Sequence, residues 1–128
     1  MDWSPEILAE GLMFPEGPIL LGDGEVVFTE IRGQRLSRYR DGRVELVTET
    51  RSGANGAIVD RDGAFYVANN GGLCSAPAGQ WLADDQIPGR IQRIEDGHVT
   101  DLAVELPGAA PHRPNDLCFG PDGKLYVT

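Results

Sequence analysis

The sequence predicts an all-β fold built from short antiparallel strands, and three features of its 128 residues support that prediction. Gly and Pro, with 17 and 9 copies, are abundant, and that much turn chemistry suits many short strands better than long helices. Asp-Gly pairs recur between strand-like runs, which is a hairpin signal because a type I′ turn needs positive φ at both central positions. Apolar and polar residues alternate along those runs, as they do in half-buried strands.

Composition and charge exclude several classes of protein. The net charge of −9 at pH 7 disfavours a nucleic-acid partner, because binding phosphates needs a basic face. The acidic N-terminus is unlike a signal peptide, and no apolar run reaches the ~18 residues of a membrane span. We therefore expect a cytoplasmic protein that does not bind membranes, with Cys74 and Cys118 reduced and Cys118 buried as a small core residue.

Three segments of the chain align with one another without gaps, namely 16–29, 55–68 and 115–128. In each segment a polar residue lies seven positions before the Asp of an Asp-Gly pair, and five strand-like residues follow the pair. Each segment is therefore predicted to form an antiparallel hairpin with a type I′ turn.

A second hairpin follows in the first two repeats, at 35–47 and 90–102, and each again turns at an Asp-Gly pair. Four antiparallel strands per repeat, arranged in tandem, are typical of the blades of a β-propeller. The sequence thus predicts a single partial β-propeller domain over 1–128 with about two and a half four-stranded blades: blade 1 at about 14–50, blade 2 at about 54–106 and the start of blade 3 at about 113–128.

Other segments of the chain connect or close these blades. We interpret 71–88 and 107–114 as loops, and loops of this kind usually lie over a functional face. Residue 128 falls inside the hairpin of the third repeat, so we expect a fragment or half of an assembly, able to self-associate through its open strand edges. Residues 7–13 could supply a strand that closes the last blade of a complete propeller.

The first candidate site is a ring of polar residues at the starts of the repeats. Equivalent positions in a radial repeat surround its axis, and here they carry Glu16, Asn55 and Asn115. A carboxylate and amide oxygens that converge at the mouth of a central channel suit a hard cation such as Ca²⁺ or Mg²⁺. The alternative interpretation is that polar residues simply begin strands and cap loops.

Arg113 adds a cation beside this ring, followed by Pro114, Asn115 and Asp116. It could hold a carboxylate or polarise a substrate oxygen. The alternative is an exposed loop arginine. Asp116 is either an acid that supports the site or a turn residue.

At these residues the sequence resembles the family of gluconolactonase, senescence marker protein (regucalcin) and luciferin-regenerating enzyme. The resemblance extends from about Glu10 to the end of the chain and matches the N-terminal half of the family only. The order of the motifs makes it specific, and the motifs that carry it are 14–18, 53–56, 66–70, 113–117 and 121–128.

The resemblance implies a six-bladed propeller with one divalent cation, Ca²⁺, Mg²⁺ or Zn²⁺, on its axis. Members of the family mostly hydrolyse lactones, and some hydrolyse organophosphate esters. By the same resemblance Glu16 is a metal ligand, Asn115 faces the metal and binds metal or substrate, and Arg113 binds substrate. Asn55 matches an Asn-Gly that is not a regular metal ligand, so we place it as a weaker, channel-facing substrate residue.

The family also takes an asparagine and an aspartate, the latter its general base, from later blades, and these are expected beyond residue 128. The sequence therefore predicts a divalent-metal-dependent hydrolase of a lactone or related ester, in which the cation polarises the carbonyl. Two alternatives remain. One is a non-enzymatic propeller that binds a ligand or a protein, because fold alone does not decide function. The other is an inactive fragment that lacks the second half of the site.

Overall fold

The computed structural model describes residues 4–72, 87–103 and 112–128. Within these ranges the chain forms ten β-strands and no helix, so the all-β prediction is confirmed. It follows that the described residues include no helix long and apolar enough to cross a membrane. Cys74 and most of the predicted 71–88 and 107–114 loops lie outside the described residues.

Within the described ranges the strands form two four-stranded antiparallel sheets and one two-stranded sheet, each ordered as the chain runs. This is the arrangement of propeller blades that the repeats predict. The first sheet contains β1 (Pro15–Leu20), β2 (Val26–Glu30), β3 (Arg35–Arg40) and β4 (Arg43–Glu49). The second contains β5 (Ala54–Val59), β6 (Phe65–Asn69), β7 (Arg90–Glu95) and β8 (His98–Ala103), and the third pairs β9 (Leu117–Phe119) with β10 (Leu125–Val127).

The Asp-Gly turns fall into two types, so the prediction of a type I′ turn in every hairpin is only partly right. Both central residues have positive φ at Asp23-Gly24, Asp41-Gly42 and Asp96-Gly97, as a type I′ turn requires. In the β5–β6 and β9–β10 hairpins only the glycine, Gly63 or Gly123, does so. In both of these loops the glycine N–H is bonded to the carbonyl three residues back, which is the pattern of a type I turn followed by a bulge.

The apolar core lies between adjacent sheets. Its main cluster joins side chains of the first two sheets, Val27, Leu36, Ala54, Val67 and Ile94, all within 1% of full burial. A smaller cluster joins the second sheet to β9 through Ala68, Ile91 and Leu117. Face-to-face packing of successive sheets is therefore what stabilises the repeat array.

The innermost strands of the three sheets, β1, β5 and β9, approach one another closely, and two glycines permit the approach. A Cβ on Gly17, whose φ is +50°, would lie 2.6 Å from the backbone N of Ala57. A Cβ on Gly56 would lie 2.6 Å from a carboxylate oxygen of Asp116. Any side chain at either position would push the starts of these strands apart.

Equivalent buried polar residues end the second strand of each complete sheet. In the first sheet the Glu30 carboxylate accepts two hydrogen bonds from Arg35 (2.7 and 3.0 Å), one from the Ser37 hydroxyl (2.6 Å) and one from the Met13 N–H (2.6 Å). This cluster ties the segment that enters β1 to the far end of β2. Since Glu30 has no exposed side-chain surface, its charge depends on these donors.

In the second sheet, Asn69 takes the place of Glu30 in the repeat. Its Nδ2 donates to the carbonyls of Arg51 (2.6 Å) and Thr50 (3.3 Å) and to the side chain of Gln92 (3.0 Å). The Gln92 amide donates in turn to the Thr50 carbonyl at 3.1 Å. The residue that ends the second strand thus holds the segment that leads into its own sheet. Glu30 does so by accepting a hydrogen bond from the backbone, and Asn69 does so by donating hydrogen bonds to it.

Two smaller expectations have different outcomes. Cys118 is exposed, so its predicted burial is wrong. Leu117 faces the core, and because side chains alternate along a strand, its neighbour Cys118 faces the other way. Residues 7–13 belong to no strand, and since the last blade is not among the described residues, their closing role stays a prediction.

The Glu30 cluster should contribute strongly to stability. Replacing Glu30 by Ala leaves Ser37, the Met13 N–H and part of Arg35 without an acceptor, so we expect a loss of about 3 kcal/mol in the free energy of unfolding. The matched control is Glu45→Ala, which removes the surface ion pair with Arg38 (3.3 Å) and should cost under ~1 kcal/mol. Urea denaturation measures both, and equal losses would contradict this role for Glu30.

The same cluster predicts a pH dependence. Burial raises the pKa of Glu30, but hydrogen bonds from Arg35, Ser37 and Met13 outweigh it, so the pKa lies below its usual 4.5. As the pH falls past 4.5, the Glu30 carboxyl binds protons more readily in the unfolded chain than in the folded one. The stabilisation that the ionised Glu30 provides is therefore present above pH 4.5 and is lost as the pH falls through the pKa of Glu30 in the folded state. Glu30→Gln removes the titration. The stability gap between wild type and variant should therefore narrow from about pH 6 to about pH 3 in urea midpoints, and a widening gap would contradict it.

Candidate functional site

Asn55 and Asn115, two of the predicted ring residues, are in direct contact. The Nδ2 of Asn55 donates to the Oδ1 of Asn115 at 2.7 Å. The backbones are joined beside this contact, because the N–H of Gly56 donates to the carbonyl of Asn115 at 2.8 Å. Asn55 is 9% exposed, whereas Asn115 is exposed and faces solvent. The start of β5 therefore presents one asparagine side chain to the other.

Glu16 lies next to this pair along the inner strands, and Thr29 links them. The Thr29 hydroxyl contacts the carbonyls of both Glu16 (3.0 Å) and Asn55, with the bond to Asn55 the shorter of the two. This places the first residues of β1 and β5 side by side, as the repeat geometry predicts. The Glu16 side chain itself is exposed.

Thr29 is a site residue that the sequence motifs do not indicate by themselves. The repeat alignment contained a signal for it, because the positions equivalent to Thr29 are Ala68 and Thr128. Thr128 also bonds to an inner-strand start, accepting at its hydroxyl from the Asp116 N–H at 3.2 Å. A threonine at the end of the second strand thus ties its hairpin to the candidate site in two of the three repeats.

The Arg113 side chain is hydrogen-bonded within the protein, which distinguishes it from a loop arginine that contacts solvent only. Its Nη1 donates to the carbonyl of Asn70 at 2.9 Å, just beyond the end of β6. A Cβ on Gly71 would lie 3.0 Å from the same nitrogen, so the guanidinium packs against the 70–71 backbone. Asp116 accepts at Oδ1 from the N–H of Leu117 at 2.8 Å, which is the local bond of a turn residue.

Glu16 and Arg113 line two different grooves, which share no lining residue. Glu16 lines a groove of about 500 Å³ that runs beneath the N-terminal segment and also contains Glu6. Arg113 lines a mostly apolar groove of about 470 Å³ between β7, β8 and the β9–β10 hairpin, together with His112. The structure therefore brings Asn55 and Asn115 together and sets Glu16 beside them through the backbone, but it assigns Glu16 and Arg113 to different grooves.

The ligand atoms that Glu16 and Asn115 offer are oxygens, which is the type of ligand that a hard cation prefers. The exposed carboxylate of Glu16 and the amide oxygen of Asn115 are the oxygen ligands that Ca²⁺ and Mg²⁺ prefer, and Asn115 Oδ1 keeps a second lone pair beside the bond from Asn55. Two donors are a partial set, since Ca²⁺ takes about six to eight oxygens. Over the three described ranges, no three residues among His, Cys, Asp and Glu group closely enough to hold a metal ion.

Solved structures with the same fold are numerous. A gluconolactonase from Xanthomonas campestris matches 94% of this chain with a TM-score of 0.71 and 23% identity, over 36% of its own length. A structural-genomics protein assigned as a candidate gluconolactonase matches 94% with a TM-score of 0.68 and 24% identity, over 37% of its length. Virginiamycin B lyase from Staphylococcus aureus matches 91% with a TM-score of 0.62 and 19% identity, over 34% of its length. At these identities the likeness shows the propeller fold.

The chain spans about a third of the length of the solved structures it matches. No curated protein sequence matches it significantly. A family model, described as the SMP-30/gluconolactonase/LRE-like region, matches residues 14–128, which is nearly the whole chain and includes every candidate site residue. On this match the protein belongs to the SMP-30/gluconolactonase/LRE-like family.

Proposed function

We propose that this chain forms part of a divalent-metal-dependent hydrolase that opens a lactone or a related ester. The observation that carries the proposal is the convergence of the inner-strand starts, where Asn115 contacts Asn55 and the backbone of Asn55 is linked by Thr29 to that of Glu16. Membership of a family that includes gluconolactonases supports the substrate class. The polar end of the inner strands is where a carboxylate and amide oxygens could bind a cation.

Each site residue has a defined role in this proposal. Glu16 and Asn115 would hold the cation through their side-chain oxygens. A bound divalent cation supplies Lewis-acid polarisation of a carbonyl oxygen. Arg113 spends one N–H on the Asn70 carbonyl, and the guanidinium carries four more donors with which it could orient a carbonyl or hydroxyl of the substrate. The fixed bond to Asn70 would make that orientation precise.

Hydrolysis also requires a base that activates the attacking water, and the proposal already assigns Glu16, Asn115 and Arg113 to binding. We propose that an aspartate outside the 128 residues activates the attacking water, since the family resemblance places the general base in a later blade. Complete activity is therefore expected of the full-length gene product. The experiment that tests the proposal as a whole is a panel of lactones and aryl esters assayed with the metal-loaded full-length protein. Absence of turnover across the panel would overturn it.

Glu16→Gln removes the one charged ligand that the proposal assigns to the cation among the described residues. We expect kcat/KM for the best lactone to fall by about 100-fold or more and the metal Kd to rise in parallel. Glu6→Gln is the matched control, because Glu6 is exposed and lines the same groove. Isothermal titration with Ca²⁺, Mg²⁺ and Zn²⁺ measures the affinity. Equal effects of the two variants would contradict a ligand role for Glu16.

Arg113→Lys keeps the positive charge but loses the planar fork of the guanidinium. If Arg113 orients the substrate, KM should rise by roughly 10-fold while the metal Kd stays unchanged. The thermal unfolding midpoint serves as the control for the lost bond to Asn70. A variant with unaltered KM and a lowered midpoint would show that Arg113 is structural only.

A further inference from the structure

We propose that Asn55 is a positioning residue, which fixes the orientation of the Asn115 amide and does not itself touch metal or substrate. The proposal rests on the proposed function, because it assigns Asn115 to the metal and substrate site. It changes the interpretation of Asn55 from a substrate-binding residue to one that acts through its neighbour. The observation behind it is the 2.7 Å bond from Asn55 Nδ2 to Asn115 Oδ1.

An exposed asparagine has two nearly equivalent orientations of its amide. The terminal torsion of asparagine is broad, and water satisfies the oxygen and the NH₂ group equally well in either orientation. Asn115 is exposed, so by itself it would present oxygen and nitrogen to the channel mouth in turn. A bond from a fixed donor selects one of the two orientations.

The donor is fixed because its surroundings leave it little freedom. Asn55 is 9% exposed, so water competes weakly for its NH₂ group. Its own carbonyl is bound by the Thr29 hydroxyl, and the adjacent Gly56 N–H is bound by the Asn115 carbonyl at 2.8 Å. On the other side, the Asn115 N–H donates to the Thr128 carbonyl at 2.7 Å. Both backbones are thereby held, and the distance between the two side chains is set.

The glycine at position 56 makes this spacing specific. A Cβ there would lie 2.7 Å from the Asn115 carbonyl oxygen, so a larger residue would separate the two strands and break the side-chain bond. The Asn-Gly pair thus works as a unit. Gly56 permits the close approach, and Asn55 uses it to hold the next inner-strand residue.

The fixed orientation determines what Asn115 offers to ligands. Oδ1 uses one lone pair for Asn55 and keeps the other for a cation, while the NH₂ group points away from Asn55 and can donate to a substrate oxygen. Because Asn55 donates one of its two side-chain N–H groups to Asn115, it has fewer donors to offer a substrate. This arrangement resembles the outer-sphere residues that orient metal ligands in other proteins.

A double-mutant cycle between Asn55→Ala and Asn115→Ala in the full-length protein tests the inference. We expect Asn55→Ala alone to lower kcat/KM about 10-fold to 100-fold and to weaken metal affinity by a similar factor. In the Asn115→Ala background the same substitution should change both by less than about 2-fold, because its effect passes through Asn115. If the fold-changes of the two single variants instead multiply in the double variant, the inference is overturned, since Asn55 would then act on the ligand directly.

A second variant, Asn55→Asp, gives a readout that does not depend on catalysis. Asn55→Asp keeps the side-chain volume but can only accept, so it should turn the Asn115 amide around. In ¹⁵N–¹H spectra of the wild type, we expect the side-chain NH₂ group of Asn55 to show the chemical shift of a hydrogen-bonded amide. In the Asn55→Asp variant, we expect the side-chain NH₂ group of Asn115 to show it instead. An Asn115 amide signal that stays unshifted would overturn the positioning role.

The failure of this inference is distinguishable from failure of the proposed function. If Asn115→Ala retains full lactone turnover and metal affinity, the proposed site is wrong and the inference falls with it. If Asn115→Ala loses both while Asn55→Ala retains both, the proposed function stands and only the positioning role is overturned.

Discussion

The candidate site depends on the close packing of the inner strands β1, β5 and β9. Their starts meet because Gly17 and Gly56 carry no side chain where the neighbouring backbone lies 2.6 to 3.0 Å from a Cβ position. One backbone bond, from the Gly56 N–H to the Asn115 carbonyl, joins the second sheet to the third at this point. Side chains that begin neighbouring strands can converge only when those strands are this near. The chemistry of the site is therefore a consequence of backbone packing.

A second constraint sets where each inner strand begins. Glu30 in the first sheet and Asn69 in the second are buried, equivalent in the repeat, and bonded to the linker that enters their own sheet. Because these groups are removed from water, loss of any partner leaves an unsatisfied polar atom, so the linker has one favourable position. Glu16 follows one linker and Asn55 the other by a few residues. The buried polar clusters thus act on the site through the register of the inner strands.

The sequence alone predicts much of this structure, and the part it misses has physical reasons. Hairpins, sheet order and the neighbouring positions of Glu16, Asn55 and Asn115 follow from the repeat, because equivalent residues take equivalent places in a radial fold. Turn type does not follow, since the same Asp-Gly pair occurs in both types. At 23–24 both residues have positive φ, whereas at 62–63 only the glycine does, although the two segments align without gaps. The direction of the Asn55–Asn115 bond, the bridging Thr29 and the groove that each side chain lines depend on distances between strands that the sequence pattern does not encode.

The charges at the repeat positions argue for a site that is shared among blades. The same backbone position carries Glu in the first repeat and Asn in the second and third, so the three side chains together contribute a single negative charge. Under the proposed function, a divalent cation held by these groups alone would keep an excess positive charge. A second carboxylate near the inner-strand starts would restore neutrality, and among the described residues the Asp116 carboxylate lies beside Gly56 at this point. An aspartate that served both as that carboxylate and as the proposed base would meet the electrostatic and the catalytic requirement with one residue.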